Sequence, residues 1–521
     1  MTVQLKTLVC QINVSNGQFC SDKDRDFADH LYQRHSLQSM LETVGELTRD
    51  KKWRDLCDKY ISIITVLIDY APHTWISNFI QGFNDSETFH FCVSSLKTAS
   101  RFAESQSFAG RDYTVYDEAD FAGLADKALV VFNLLDTLLL KQLKVGQENE
   151  KLDHWQAILQ CCYFCILLLS QHVEKQLWTN SQTEKFANDM VKVLMQEFCC
   201  STVCKLLCLD SQYVSAVETG DESKLTVKNS IFGKLLVQWK PMLQRNTWKQ
   251  NPVISASFSW CLQQMSFPNL SNFIELVLPP TLLFMDGHEL HHKIDGTKCL
   301  IHILNNTGGE ELRWYGRAEV IYSALKLQIL STEEELLPLT HTALLLILKV
   351  LVKNPDNIGV TTKYDEVFEI ILQAASHENK VALRRVHTAP LSTFIEALGI
   401  NTVKFATNLL EVCEEYLEIP DGPSEMVRTQ VLDALQSFIK VCYPRIPAHS
   451  MRIVKLLVKF IHSVYTKQDQ IPALVLEQLT SKCGSCLSLL KTLDNKFISE
   501  AVQGLCKLPF NEGVINLLNK I

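Results

Sequence analysis

The letters HELHH at residues 288–292 reproduce the H-E-x-x-H spacing of zinc peptidases. In those enzymes both histidines project from one face of a helix toward the metal, and the glutamate acts as general base. His288, Glu289 and His292 would fill these roles here. However, Asp286-Gly287 directly precede them and predict a turn between helices. We therefore expect His288 to lie at or before the first helical turn, where the zinc geometry does not form.

A third zinc ligand is also missing from its usual place. The extended pattern requires glycine three residues after the second histidine and histidine three residues later, but Asp295 and Lys298 stand there. Helical periodicity instead predicts a buried stripe opposite both histidines, made of Leu290, Ile294, Thr297, Ile301 and Leu304. A solvated, histidine-rich turn is the preferred interpretation, and a zinc metallopeptidase is the remote alternative. With no nucleophile elbow or phosphate-binding loop either, we expect no catalytic residue, no metal and no cofactor.

Cysteines form a second group that could carry chemistry. The chain holds 18, including the C-x-x-C pairs Cys162/Cys165 and Cys483/Cys486. The first pair lies in an apolar helical run, and neither has the βαβ context of a redox motif. Since the N-terminus does not resemble a secretory leader, we expect a reducing compartment and mostly free, buried thiols. A zinc site joining the two pairs is the weaker alternative.

Charge and hydropathy exclude two classes of partner. The net charge is −8, and no lysine or arginine cluster is dense enough to follow a phosphate backbone. The longest apolar runs, 157–169 and 343–352, are shorter than the roughly 20 residues needed to cross a bilayer. We therefore expect neither nucleic acid nor membrane as a direct partner.

The elements that carry these residues are predicted to be helices throughout. Apolar residues recur at three- and four-residue spacing, and only 19 glycines and 15 prolines occur in 521 residues. Helix starts are predicted where Asn251 precedes Pro252 and at a capping box formed by Ser331 and Glu334. Polar stretches at about 104–120, 144–153 and 210–229 are predicted loops.

The C-terminal half repeats itself. Polar turns fall at 286, 331, 377 and 421, at intervals of 45, 46 and 44 residues, and extrapolation gives a further turn at 466–472. After three of the turns a basic residue follows seven positions on and a leucine fourteen positions on. The aligned positions are Asp286, Lys293 and Leu300 in the first of these repeats, His377, Arg384 and Leu391 in the second, and Asp421, Gly422, Arg428 and Leu435 in the third.

A period of about 45 residues with two helices per unit predicts an all-α fold, an α-solenoid of HEAT-like helical hairpin repeats. A single compact helical bundle is the structural alternative. We predict two regions. Residues 1–234 form an N-terminal helical region with divergent repeats and long loops, and residues 235–521 form the regular repeat region.

Five stretches together resemble the Tti-two (Tti2) family of Tel-two-interacting proteins. They read SWCLQQMSFPNLSNFIELVLPPTLLF, RAEVIYSALKLQIL, YDEVFEIIL, ALRRVHTAPLSTFIEALGINTV and YLEIPDGPSEMVRTQVLDALQSFIKVCYPRI. The resemblance covers roughly 235–450 in order and nearly without gaps. At the first turn the family pattern retains an acidic residue, a basic residue and a glycine, which here are Asp286, Lys293 and Gly296. It does not require the histidines.

This resemblance implies a non-catalytic scaffold subunit of the Triple T complex. Its expected partners are Tti-one-like and Tel-two-like subunits. Acting with the Hsp-ninety chaperone and the R-two-TP co-chaperone, the complex stabilises phosphatidylinositol-kinase-related kinases of the ATM, ATR, mTOR, DNA-PK and TRRAP types, and so supports the DNA damage response. The implied localisation is cytoplasmic and nuclear. Another helical-repeat adaptor, such as a nuclear-transport carrier, is the alternative function.

Several arginines and aromatic residues match family positions and are therefore candidates for partner contact. Arginine and aromatic side chains are enriched in binding hot spots. Packing within and between repeats is the competing interpretation for each of them. The candidate partner-binding residues are Arg384, Arg385, Trp314 and Tyr315, and Trp248 and Trp260 match the family as well.

Overall fold

Helices account for nearly all the regular structure that is described. The computed structural model describes residues 5, 8–15, 17–37, 39–40, 43, 54–72, 75, 116–146, 152–210 and 229–520. Within these ranges the only strands form a short antiparallel hairpin, β1 (Val14–Ser15) and β2 (Gln18–Phe19). The predicted loops at 104–120, 144–153 and 210–229 lie largely outside the described residues.

The chain divides into two compact units, residues 1–283 and 284–521. Our predicted boundary at 234/235 followed the family motifs rather than compactness, and it stays a prediction. Helices described in the first unit are α1 (Asp22–Arg34), α2 (Arg54–Tyr70), α3 (Leu124–Gly146), α4 (Leu152–Leu169), α5 (Ser181–Glu197), α6 (Val203–Leu207), α7 (Ile231–Trp239) and α8 (Pro252–Gln264). Short 3-10 helices occur at Glu118–Phe121, Trp248–Gln250 and Asn269–Phe273.

Helical hairpins follow one another in the rest of the chain. After α9 (Ile274–Met285) come α10 (Leu290–Asn305), α11 (Gly309–Arg313), α12 (Arg317–Gln328), α13 (Leu337–Leu351), α14 (Lys363–Ser376), α15 (Val381–Thr388), α16 (Leu391–Leu398), α17 (Ala406–Glu418), α18 (Met426–Val441), α19 (Ser450–Thr466), α20 (Ala473–Leu493), α21 (Asn495–Leu505) and α22 (Glu512–Lys520). Further 3-10 helices lie at Trp314–Gly316, Gly399–Phe405, Ile446–Ala448 and Gln468–Gln470.

Four successive hairpins in the second unit confirm the predicted architecture. Their first helices, α12, α14, α17 and α19, begin at residues 317, 363, 406 and 450, at intervals of 46, 43 and 44. Each first helix packs on the second helix of its own hairpin, and the second helices α16, α18 and α20 also pack on one another. The all-α class and the HEAT-like repeat of about 45 residues are therefore correct.

Helix starts follow local chemistry, with one error in our prediction. Asn251 is the N-cap of α8 and Pro252 its first residue, as predicted. Ser331, however, does not cap α13, which begins at Leu337 after a turn and has Pro338 as its second residue. Proline is favoured in the first helical turn because its φ is preset and that turn needs no amide donor. The Ser331 hydroxyl instead accepts from the Glu333 amide at 3.2 Å.

No helix in the described ranges is long and apolar enough to span a membrane.

Both C-x-x-C pairs are buried within helices, Cys162 and Cys165 in α4 and Cys483 and Cys486 in α20. Burial raises the pKa of Cys165 and of Cys486 to about 12. Burial raises the pKa of Cys483 as well, so these three thiols are held in the neutral form, which is the poorer nucleophile and metal ligand.

Candidate protein-interaction site

The HELHH segment does not assemble the zincin geometry. His288 is exposed and precedes α10, whose N-cap is Glu289, whereas His292 lies inside that helix. The two histidines therefore do not share one helical face. Across the part of the chain that the structure describes, no three His, Cys, Asp or Glu side chains are grouped so that they could hold a metal ion.

The buried face of α10 differs from the predicted stripe. Thr297 and Leu304 are buried as predicted, but Leu290, Ile294 and Ile301 are only partly buried. Residues that are buried instead include Gly296, Cys299, Leu300 and Ile303. Gly296 explains the change, because a Cβ atom there would lie 2.6 Å from the Met285 amide nitrogen. The glycine lets α10 approach the end of α9, and this close approach sets the rotation of the helix. Asp286 is exposed and Lys293 partly exposed.

Arg384, the first candidate for partner contact, is used inside the repeats. Its Nε donates to the Glu378 carbonyl at 2.7 Å, and its Nη2 donates to Glu415 at 2.8 Å. The guanidinium also lies 4.7 Å from the centre of the Tyr416 ring. Only 7% of Arg384 is exposed. These contacts join α15 to α17 in the next hairpin, so they support the packing interpretation for this residue.

Arg385 spans the same two hairpins through the predicted turn position Asp421. Its Nε donates to the Asp421 carboxylate at 3.2 Å, and its Nη2 donates to the Asp421 carbonyl at 2.5 Å. The carboxylate also accepts from the Val427 amide at 3.0 Å. Gly422 has φ +107°, a conformation that glycine adopts without strain. A basic side chain of the preceding hairpin therefore pairs with the acidic residue of this turn.

Arg428, the basic position of the repeat that begins at Asp421, is fully buried near this turn. Its Nη1 lies 3.4 Å from Glu425, and its Nη2 donates to the Glu418 carbonyl at 3.2 Å. Burial lowers the pKa of Arg428 and raises that of Glu425, while their mutual attraction opposes both shifts. Leu435, two turns further along α18, is also fully buried. These positions stabilise the repeats and offer no surface to a partner.

Trp314 and Tyr315 are exposed. They form a 3-10 turn at the start of α12, with 59% and 87% of their surfaces accessible. Tyr315 has φ +56°, a left-handed conformation that costs a non-glycine residue about 1–3 kcal/mol. Arg317 holds the turn, since its guanidinium lies 5.1 Å from the Tyr315 ring centre and its Nη1 donates to the Glu311 carbonyl at 3.1 Å. Trp248 and Trp260, by contrast, are buried.

A line of further exposed apolar side chains continues from this turn along α12. Val320 is 54% exposed, Leu327 is 76% exposed, and Leu330, just beyond the helix end, is 68% exposed. Val320 and Leu327 are seven residues apart, so they project from the same helical face. At 1.5 Å per residue the line is roughly 20 Å long. We call this surface the α12 ridge; its members are Trp314, Tyr315, Val320, Leu327 and Leu330.

Ion pairs to α14 fix the helix that carries the ridge. Lys363 donates to Glu319 at 2.7 Å, and Lys326 pairs with Glu366. The Tyr322 hydroxyl donates to the same Glu366 carboxylate at 2.5 Å. An apolar surface with charged groups at its side, carried on a rigid helix, has the make-up of a protein-binding site.

Sequence reasoning named the two aromatic residues of this surface but missed its other three members. RAEVIYSALKLQIL has two apolar faces, one with Ala318, Ile321 and Leu325 and one with Val320 and Leu327. Periodicity reports both faces and does not tell which one is covered. The presence of a second apolar face is the signal that could have located the ridge.

The fold and this surface define the class of the protein: an all-α chain of HEAT-like helical hairpins with an exposed apolar ridge. A family model described as the Tti2 family matches residues 165–424. The chain belongs to the Tti2 family. The match begins about 70 residues before the region of roughly 235–450 that the resemblance covers, and it includes the whole α12 ridge.

Two mammalian relatives support the assignment. TELO2-interacting protein 2 of Mus musculus is 33% identical over 325 residues, which make up 61% of this chain and 60% of the relative. The Homo sapiens protein of the same name is 29% identical over 402 residues, 76% of each chain. The chain thus spans about three fifths of the mouse relative in that comparison.

Solved structures of importin beta are also similar to the chain. One importin beta structure has a TM-score of 0.45 and 12% identity, covering 99% of this chain and 66% of its own. A structure of yeast importin beta, Kap95p, has a TM-score of 0.44 and 11% identity, covering 97% of this chain and 68% of its own. A likeness at this level does not bear on function.

Proposed function

We propose that this protein is a non-catalytic scaffold subunit of the Triple T complex that binds its partner subunits through the α12 ridge. Membership of the Tti2 family is the observation that carries the proposal. The names of the mammalian relatives, which describe them as interacting with TELO2, point to a Tel-two-like partner. A Tti-one-like subunit is the second proposed partner.

Exposure and rigidity support the ridge as the contact surface. Of the four residues chosen as partner-binding, Arg384 is occupied by contacts between hairpins, and Arg385 is engaged with Asp421. Trp314 and Tyr315 remain accessible, and they lead into an apolar line that the described residues leave uncovered. Burying such side chains against a partner removes apolar surface from water at about 25 cal/mol per Å².

The proposed role is the maturation and stabilisation of phosphatidylinositol-kinase-related kinases, together with Hsp-ninety and R-two-TP, in cytoplasm and nucleus. The protein contributes surface rather than chemistry to this role. A stack of hairpins offers an extended face to other long proteins and needs no catalytic residue.

Affinity purification of the tagged full-length protein from cells tests both parts of the proposal. The wild-type protein is expected to recover the Tel-two-like and Tti-one-like subunits. The double variant Tyr315→Ser/Leu327→Asp is expected to lose them while keeping the wild-type melting temperature. Leu474→Asp is the matched control, because Leu474 is 68% exposed on α20, away from the ridge. This variant is expected to retain both partners.

Three results would contradict parts of the proposal. Recovery of a small GTPase or transport cargo in place of these subunits would favour the nuclear-transport carrier. Full recovery of the subunits by the ridge variant would place the contact elsewhere while leaving the complex assignment intact. Loss of the subunits from Leu474→Asp as well would show that the effect is not specific to the ridge.

A further inference from the structure

Four cysteines lie within ten residues around the short helix α6: Cys199, Cys200, Cys204 and Cys208. Cys204 is buried and receives hydrogen bonds from outside its own segment. The Ser266 hydroxyl donates to its Sγ at 3.4 Å, and the Asn269 side-chain amide donates to it at 3.7 Å. The side chain of the neighbouring Cys208 interacts with the same sulfur. Two donors from outside the segment and one neighbouring thiol therefore surround one sulfur atom.

This arrangement favours the Cys204 thiolate. Interaction with the Cys208 side chain, together with the hydrogen bonds from Ser266 and Asn269, lowers the pKa of Cys204 to about 5 and outweighs the opposing effect of burial. The same interaction and burial raise the pKa of Cys208. Elsewhere burial dominates, as at Cys261 and Cys413, where it raises the thiol pKa. At neutral pH the pair therefore consists of one thiolate and one thiol.

We propose that Cys204 and Cys208 form a peroxide-sensitive dithiol that closes reversibly to a disulfide. The two residues are four positions apart, and Cys208 retains helical backbone angles (φ −85°, ψ −4°) at the C-cap of α6. Helix geometry places their Cα atoms about 6 Å apart. Disulfides span Cα separations of about 4.4–6.8 Å. The Cβ atoms of residues four apart on a helix lie about 5–6 Å apart, against about 3.5–4.5 Å in a disulfide. The last turn of α6, where Cys208 is the C-cap, therefore has to tighten for the bond to form.

The neighbouring cysteines are less well placed. Cys199 has φ +51°, so the backbone leaves the helix of α5 there, and helical spacing does not relate Cys200 to Cys204. The Cys200 thiol is turned to the Phe198 carbonyl at 3.4 Å. Cys199 is exposed, but it receives none of the hydrogen bonds that stabilise a thiolate at Cys204. Among the described residues these cysteines also do not form a group suited to a metal ion.

Hydrogen peroxide is the oxidant that the proposed reaction requires. The Cys204 thiolate attacks one peroxide oxygen; an S–O bond forms, the O–O bond breaks and hydroxide leaves. Cys204 is thereby oxidised to a sulfenic acid and the peroxide is reduced. The Cys208 thiol then attacks the Cys204 sulfur, the S–S bond forms and water leaves. A thiol reductant reduces the disulfide by thiol–disulfide exchange, is itself oxidised to a disulfide, and restores both thiols.

Oxidation would change the contacts of α6. This helix packs on α5, α7 and α8 in the first unit. In the disulfide the Cys204 sulfur carries no negative charge, so it becomes a weaker acceptor for Ser266 and Asn269. The expected result is a local loosening of the 266–269 segment against α6, with the helices of the second unit unaffected.

Peptide mapping of the full-length protein tests the proposal. After exposure to hydrogen peroxide, free thiols are alkylated and the disulfide-linked peptides are identified by mass spectrometry. We expect a Cys204–Cys208 link that dithiothreitol removes. In Cys208→Ser we expect a sulfenic acid at Cys204, trapped by dimedone, and in Cys204→Ser we expect no oxidation at Cys208. Cys299→Ser, at another buried cysteine, is the control and should retain the link.

The pH profile of alkylation provides a readout that a purely structural role would not change. The reaction of Cys204 with iodoacetamide should have its midpoint near pH 5, and Asn269→Leu should move it upward. If peroxide instead links Cys199 or Cys200 to another cysteine, or leaves Cys204 unmodified while exposed Cys199 reacts, the proposal is overturned. A Cys204 midpoint near the ordinary thiol value of about 8.5 would overturn it as well.

Discussion

Arg385 donates to Asp421 across 36 positions of sequence, at 3.2 Å from Nε to the carboxylate and at 2.5 Å from Nη2 to the carbonyl. Arg385 lies in the middle of α15 in one hairpin, and Asp421 lies in the turn of the next hairpin. The sequence repeat aligned Arg384, not Arg385, with the basic position. In the structure both arginines reach the following hairpin, Arg384 at α17 and Arg385 at the turn. The acidic turn thus links successive repeats.

Asp421 should therefore matter more for stability than an exposed aspartate in an ion pair. Asp421→Asn removes the charge that faces Arg385 and weakens the bond from the Val427 amide. Because the site is buried, we expect a loss of about 1–3 kcal/mol in the free energy of unfolding, measured by urea denaturation. Asp189→Asn is the control, since the Asp189–Lys192 pair is exposed and should contribute about 0.5 kcal/mol or less. Equal effects of the two substitutions would contradict this account.

Leu300 and Leu435, the aligned core positions of the repeat, are both fully buried. Replacing either with alanine should cost roughly 2–5 kcal/mol. In a chain of hairpins the damage should be regional, so hydrogen exchange should increase mainly in the hairpins next to the substitution. Leu474→Ala, at an exposed position, should change little. A uniform rise in exchange over all the described helices would argue for a single compact bundle.

Zinc should not be required by the HELHH segment. Since His288 precedes α10 and His292 lies within it, replacing both with alanine should change the unfolding free energy by about 0.5 kcal/mol or less. Elemental analysis of the purified protein should find no stoichiometric zinc. One zinc per chain, lost in the double variant, would restore the metallopeptidase interpretation.

Acid should destabilise the second unit through a buried histidine. Burial and the neighbouring His387 lower the pKa of His341 to about 3. In the unfolded chain the pKa of this histidine is near 6.5, so the unfolded chain binds a proton more readily than the folded chain. The free energy of unfolding is therefore highest above pH 6.5 and falls as the pH drops toward 3. His341→Gln should reduce the slope of stability against pH in that window, by up to about 1.4 kcal/mol per pH unit. His377→Gln, at an exposed turn, should change the free energy of unfolding at neutral pH by about 0.5 kcal/mol or less.

The sequence predicted the hairpins well because their period, turns and apolar stripes are local signals. Leu300 and Leu435 could be aligned for that reason. It could not predict the rotation of α10, which depends on how closely Gly296 approaches the backbone of α9. Nor could the sequence predict that Arg384 is buried while Trp314 is exposed, because burial at these positions depends on the neighbouring hairpin. The left-handed turn at Tyr315 had no signal either, since tyrosine rarely adopts that conformation.

Kinase abundance tests the central claim most directly. Cells depleted of this protein are supplied with the wild type, the ridge variant Tyr315→Ser/Leu327→Asp or the control Leu474→Asp, and the large kinases are measured as protein and as messenger RNA. If the protein acts as a scaffold after translation, its depletion should lower the amount of kinase protein without lowering the kinase messenger RNA. The wild type and the control should restore the protein level, and the ridge variant should not. Normal kinase protein in the depleted cells would contradict the proposed function.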